Sequence, residues 1–158
     1  MAADGSVPAK RNLDPARIPK LLPFVWLCAR DPERDTFVYN LAGEVIRGTL
    51  NRPIRGRSLD QIFNMEWSKR LNDRYRRVCE GPAMYHSYGG VYVVSEKHGV
   101  GERIILPLTG ADGRVDHVLG LTYYLLHEKQ TAPEAVLNAG SEERGEFVPL
   151  PMSATIAK

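Results

Sequence analysis

The amino-acid sequence predicts an α+β domain: a five-stranded antiparallel sheet with its helices packed on one face and a short N-terminal cap. Three observations carry this prediction. Two strand-like runs come first and three come last, with all the strong helical periodicity between them. Consecutive strand runs are separated by short polar turns, which join antiparallel neighbours. One long amphipathic helix stands directly before the final strands.

Each element has a local cause. Residues 1–12 are small, polar and aperiodic, and are expected to be disordered. In "LDPARIPKLL", Asp14 is placed to cap, Pro15 suits a first helical position, and Ile18, Leu21 and Leu22 share a face. "FVWLCAR" (Phe24–Arg30) and "TFVYNL" (Thr36–Leu41) flank the polar turn "DPERD" and read as a hairpin. "AGEVIRGTL" and "SLDQIF" read as short helical pieces, the second with Ser58 as N-cap. In Glu66–Glu80, Trp67, Leu71, Tyr75 and Val78 form one apolar stripe, and Gly81-Pro82 ends the helix. "AMYHSYGGVYVVSEK", "ERIILPLTG" and Val115–Leu126 are strands. Ile104, Leu106 and Leu108 are expected on one face of theirs. In the last strand the odd positions are expected to face the helices, and the even ones, Val118 and Tyr124 among them, to point outward. The tail 127–158 mixes Pro, Gly, Glu and Ala without a period and is expected to be a loose extension. Residues 13–126 therefore form a single domain with its cap.

Composition narrows the class. With 158 residues, 43% hydrophobic and 25% charged, the chain suits one soluble globular domain. No apolar run approaches the roughly 20 residues that span a bilayer, and the N-terminus has no hydrophobic signal core, so a cytoplasmic protein without a membrane partner is expected. Cys28 and Cys79 lack a CxxC spacing and read as free buried thiols. The net charge of +2 implies no polyanionic partner. Between Arg47 and Arg77, nine Lys/Arg stand against three acids, yet few aromatics suited to base stacking and no nucleic-acid-binding motif accompany them. A basic-face nucleic-acid binder is thus the weakest reading.

The order of elements resembles that of PAS domains. "LDPARIPKLLPFVWL", "YNLAGEVI", "GRSLDQIF", "CEGPA" and "RIILPLTGADGRVDHVLGL" are similar to one branch of that family, the small, mostly stand-alone PAS proteins common in alphaproteobacteria. The resemblance spans Arg11–Tyr124. It makes "RPIRGRSLDQIF" an inter-helix joint, with Gly56 in a conformation other residues resist. It implies a central Phe24–Arg30 strand flanked by Thr36–Leu41 and Val115–Leu126. It also implies a regulatory or sensory module that docks to a signalling protein such as a histidine kinase.

Some PAS domains hold a ligand between helices and sheet, so the chemistry of that space matters. The flavin-type cysteine motif is missing from "GRSLDQIFN", and Glu66–Glu80 has no histidine for haem, so no cofactor is expected. No metal-ligand spacing, HExxH or GxSxG occurs, so no metal site and no catalysis are expected. Arg74 falls on the sheet-facing stripe of the long helix. Its guanidinium either snorkels outward along the apolar face or aims into the cavity at a carboxylate or phosphate. Tyr39, Arg74, Tyr75, Tyr85 and Tyr123 are the candidate wall of a cavity selecting a small anionic or amphipathic ligand. The apolar outer sheet face and the cap, represented by Leu22, Val118 and Tyr124, are the candidate interface of a homodimer. The competing class is a small-molecule-binding or catalytic protein using the same cavity.

Overall fold

The computed structural model describes residues 7–94, 97–128 and 143–150. After 3₁₀ turns at Lys10–Asn12, Pro15–Arg17 and Leu22–Phe24 come strands β1 (Val25–Asp31) and β2 (Thr36–Ala42). Three helices follow: α1 (Glu44–Leu50), α2 (Leu59–Ile62) and α3 (Met65–Glu80). Strands β3 (Ala83–Val94), β4 (Lys97–Thr109), β5 (Val115–Glu128) and β6 (Glu143–Pro149) complete the chain. The sheet order is β2-β1-β5-β4-β3-β6, antiparallel throughout. β1 lies between β2 and β5, as expected, but it is second from the edge, and β5 and β4 hold the centre.

The local chemistry explains the boundaries. The Asp14 carboxylate accepts from the Ala16 N–H at 3.0 Å, with Pro15 opening that turn. Asn64 caps α3 through the Trp67 N–H at 2.9 Å, so the helix begins one residue earlier than its periodicity suggests. Gly56 has φ of 78°, and its N–H bonds the Tyr39 carbonyl, tying the inter-helix joint to β2.

Three expectations change. The sheet has six strands, because residues 143–149 of the supposed loose tail pair with β3; residues 129–142 and 151–158 lie outside the described residues. Residues 7–12 are attached, with the Thr109 N–H bonding the Pro8 carbonyl at 3.0 Å at the end of β4. Most consequentially, the faces of β4 and β5 are the reverse of the expected ones. Val118 is 0% and Tyr124 5% exposed, both in the core, and Ile105 and Pro107 are buried in place of Ile104 and Leu106, while Leu108 is buried next to the irregularity that ends the strand.

The reason is the pairing of Trp26 with Gly120. A Cβ at Gly120 would stand 2.0 Å from the Trp26 ring, so only glycine leaves room for the indole on the inner face. With Gly120 turned inward, the period of two carries Val118, Thr122 and Tyr124 with it. Thr122 then accepts from Trp26 Nε1 at 3.0 Å, and the Tyr124 hydroxyl meets Thr49 of α1. The core continues through Trp26 stacked on Tyr75 at 5.2 Å and Phe37 edge-on to Tyr75 at 5.4 Å. The outer face keeps an apolar set of its own. Tyr123 is 53% and Leu125 60% exposed there, while Leu119 and Leu121 are half-buried.

Candidate functional site: an internal cavity and its buried ion cluster

A cavity of about 540 Å³ lies between the helices and the inner face of the sheet. Its walls are apolar or aromatic: Trp26 and Tyr39 from the first hairpin, Leu50 from α1, Ile62 and Phe63 around α2, Trp67, Leu71 and Tyr75 from α3, and Val91 from β3. The α3 stripe that packs the helix onto the sheet therefore also builds the cavity. Polar groups enter in two places. Arg103 of β4 forms part of the inner wall, and Arg52, Gln61 and Asn64, all exposed, mark the mouth.

The mouth has a defined polarity. The Gln61 side-chain oxygen accepts from the Ser58 N–H at 3.0 Å, and the Asn64 oxygen accepts from the Trp67 N–H at 2.9 Å. Helix capping thus uses the acceptor end of both amides and leaves their NH₂ ends for a ligand. With the Arg52 guanidinium beside them, the mouth offers donors. It suits an acceptor-rich group such as a carboxylate.

Arg103 connects the cavity to a buried ion cluster. Its Nε donates to Thr122 Oγ1 at 3.2 Å, the same oxygen that receives the Trp26 indole. Its terminal nitrogens donate to the Val91 carbonyl at 2.5 Å and to Glu143 Oε1 at 2.7 Å. Glu143, 5% exposed at the start of β6, also takes Arg74 at 3.0 Å and the Ser87 hydroxyl at 2.7 Å. Burial alone would push the Glu143 carboxyl up. The guanidiniums of Arg103 and Arg74 and the Ser87 hydroxyl outweigh it and hold the carboxyl below its ordinary range.

The candidate residues separate on this geometry. Tyr39 and Tyr75 line the cavity. Arg74 does meet a carboxylate, but the carboxylate is Glu143 of its own chain, and Arg74 lies beside the cavity rather than in its wall. Its guanidinium also stacks on the Tyr85 ring at 4.4 Å, which fixes Tyr85 in the same cluster. Tyr123 is on the opposite face of the sheet, with its ring 5.0 Å from that of Phe24. Leu22 is exposed at the last 3₁₀ turn, and Val118 and Tyr124 are interior. Arg103 and Glu143 were missed. Arg103 follows from the reversed face of β4, for which Gly120 was the available signal. Glu143 sits in a segment whose only cue is the alternation Glu143, Gly145, Phe147.

Much of the basic run from Arg47 to Arg77 is engaged within the fold. Arg76 pairs with Asp35 at 2.9 Å, Arg70 covers the Trp67 ring and Arg77 covers Phe147. Cys28 and Cys79 are both buried and unpaired, and burial pushes the Cys79 thiol up to about 12. Among the described residues no three His, Cys, Asp or Glu side chains converge as a metal site would need. No helix among them is long and apolar enough to cross a membrane.

An antiparallel sheet with its first strand between the second and the fifth, helices on one face and a cavity between them defines a domain of the sensory type. A PAS-domain family model matches residues 1–123, and the chain belongs to that family. Its members are sensory, signalling modules. The structure is similar to a sensory box sensor histidine kinase from Vibrio cholerae, at 14% identity and a TM-score of 0.47, covering 70% of this chain and 90% of that one. A transcriptional regulator from Alicyclobacillus acidocaldarius matches at 13% identity and a TM-score of 0.27, covering 80% and 60%. No curated protein matches.

Proposed function

We propose that this PAS domain is a cytoplasmic sensory module, acting by binding rather than catalysis, whose cavity takes a small amphipathic anion and gates docking to a signalling protein such as a histidine kinase. The single observation that carries the ligand reading is the division of the cavity. Its body is aromatic and aliphatic, and its mouth presents donors from Arg52, Gln61 and Asn64. An alkyl or aryl carboxylate matches both halves. At about 540 Å³ the space falls within the roughly 300–1,000 Å³ of ordinary ligand pockets.

The docking reading rests on the outer sheet face, where Tyr123 and Leu125 remain exposed, and on the cap, where Leu22 is exposed. A homodimer through this face covers one apolar patch with its own copy. Native mass spectrometry of freshly purified protein tests the ligand half. A retained acidic mass of a few hundred daltons, or one acquired from added decanoate, supports it. A protein that stays empty with decanoate, phenylacetate and indole-acetate alike refutes it.

A further inference from the structure

The arginine socket and its occupant come from different parts of the chain. Arg74 and Arg103 stand on α3 and β4, inside the residues that the PAS-domain family model matches, and β6 lies beyond them. Among the described residues β6 pairs only with β3, at the edge of the sheet. Three of its side-chain positions point inward, and each meets a separate feature of the domain. Glu143 enters the socket between the two guanidiniums. At Gly145 a Cβ would stand 2.1 Å from the Tyr85 hydroxyl, so the strand can pass over that ring only without a side chain. Phe147 lies against Tyr85 with ring centroids 4.9 Å apart, and the Arg77 guanidinium closes over it at 3.9 Å. The alternate residues Arg144, Glu146 and Val148 are exposed.

We propose that the outer edge of β3, with the Arg74–Arg103 socket, is a strand-docking groove for an extended acidic–aromatic segment of a partner protein, and that β6 occupies it in cis. The chemistry of the partner segment is set by the groove: a carboxylate, then glycine two residues on, then an aromatic ring two further. Main-chain pairing to β3 supplies binding strength, and the three inward positions supply selectivity. The positive socket recruits an acidic segment. β6 is therefore an internal competitor that a partner displaces. This extends the docking half of the function proposed above to a second surface; Arg103 borders both the socket and the cavity, and the two readings are tested by separate measurements. A peptide that fails to bind leaves the ligand reading standing, and an empty cavity leaves the groove standing.

The test uses the full-length protein and a fluorescein-labelled peptide of sequence ERGEFVPL, which copies residues 143–150, read by anisotropy. Gly145→Val drives β6 against Tyr85 without altering the groove, and Phe147→Ala weakens the same strand by a second route. Hydrogen exchange at the β3 amides of residues 85–89 reports whether the edge has been vacated. A tethered strand competes at an effective concentration on the order of millimolar. The expected result is that the peptide binds whichever variant has vacated the edge at least about 10-fold more tightly than wild type. Replacing the first glutamate of the peptide by glutamine should cost about 10-fold or more. Equal binding by wild type and the vacated variants overturns the proposal, as does no binding to a vacated edge. Equal binding of a scrambled peptide also overturns it. Wild-type protein that sediments as a dimer joined by exchanged β6 strands assigns the groove to a second copy and overturns the partner reading.

Discussion

Replacing Glu143 by glutamine removes a charge and almost no volume, so it isolates the ion cluster. The carboxylate is 5% exposed and faces Arg103 at 2.7 Å and Arg74 at 3.0 Å. A glutamine carries no charge to offset the two guanidiniums and turns one acceptor oxygen into an NH₂ donor that faces them. Removing one partner of a buried pair costs about 3–5 kcal/mol. The lower end applies here. Arg103 keeps Thr122 and the Val91 carbonyl, and Arg74 keeps the Tyr85 ring. A loss of about 3 kcal/mol corresponds to a fall in Tm of roughly 6–12 °C at this chain length. The pH dependence has a fixed sign. The Glu143 carboxyl is held below its ordinary range, so its contribution is complete above the unfolded carboxylate range near pH ~4.3. That contribution is lost as pH falls through the lower folded value. Urea melts of wild type and Glu143→Gln should therefore show a constant gap from pH 7 to about pH 5 and a narrowing gap below about pH 4. A gap under about 1 kcal/mol at pH 7, where exposed pairs lie, or one that widens on acidification, would refute the account of the cluster.

Three further outcomes follow from the packing. Gly120→Ala should lower stability by about 3 kcal/mol, the upper end for overpacking, because the added Cβ meets the Trp26 ring; a wild-type urea midpoint would contradict the inner-face register. The thiols of Cys28 and Cys79, both pushed up by burial, should stay unreactive toward a disulfide reagent at pH 8 until denaturant is added; rapid labelling of the native protein would contradict their burial. Tyr123→Glu on the outer face should give a folded monomer at concentrations where wild type sediments as a dimer. Unchanged self-association would remove that face from the interface.

The order of elements was legible because it rests on features internal to each segment: the hairpin turn, the α3 stripe and the Gly81-Pro82 stop. The flanking of β1 by β2 and β5 came from resemblance and not from periodicity. The inward faces of β4 and β5 were not legible from alternation, because both faces of β5 are apolar and either assignment buries hydrophobic side chains. Two small residues held the answer. Gly120 and Thr122 make poor outer-face packing but are what a tryptophan needs opposite it: space, and an acceptor for its N–H. That reversal carried Tyr123 out of the cavity wall, took Val118 and Tyr124 out of the interface and brought Arg103 in. Arg74 was legible as an inward arginine on a helical wheel. Its partner was not, because Glu143 lies in a segment with only three inward residues, too few for periodicity to stand out from composition.

The cavity claim has a built-in reporter. The chain contains two tryptophans, Trp26 and Trp67, and both line the cavity. Both tryptophan fluorophores therefore border this space. Titration with decanoate should give a saturable change in emission. The same titration with decanol should require at least about 10-fold more ligand, since the donors at the mouth would lose their charged acceptor. Emission that stays flat or drifts without saturation, or that responds equally to acid and alcohol, would contradict a cavity built for an amphipathic anion.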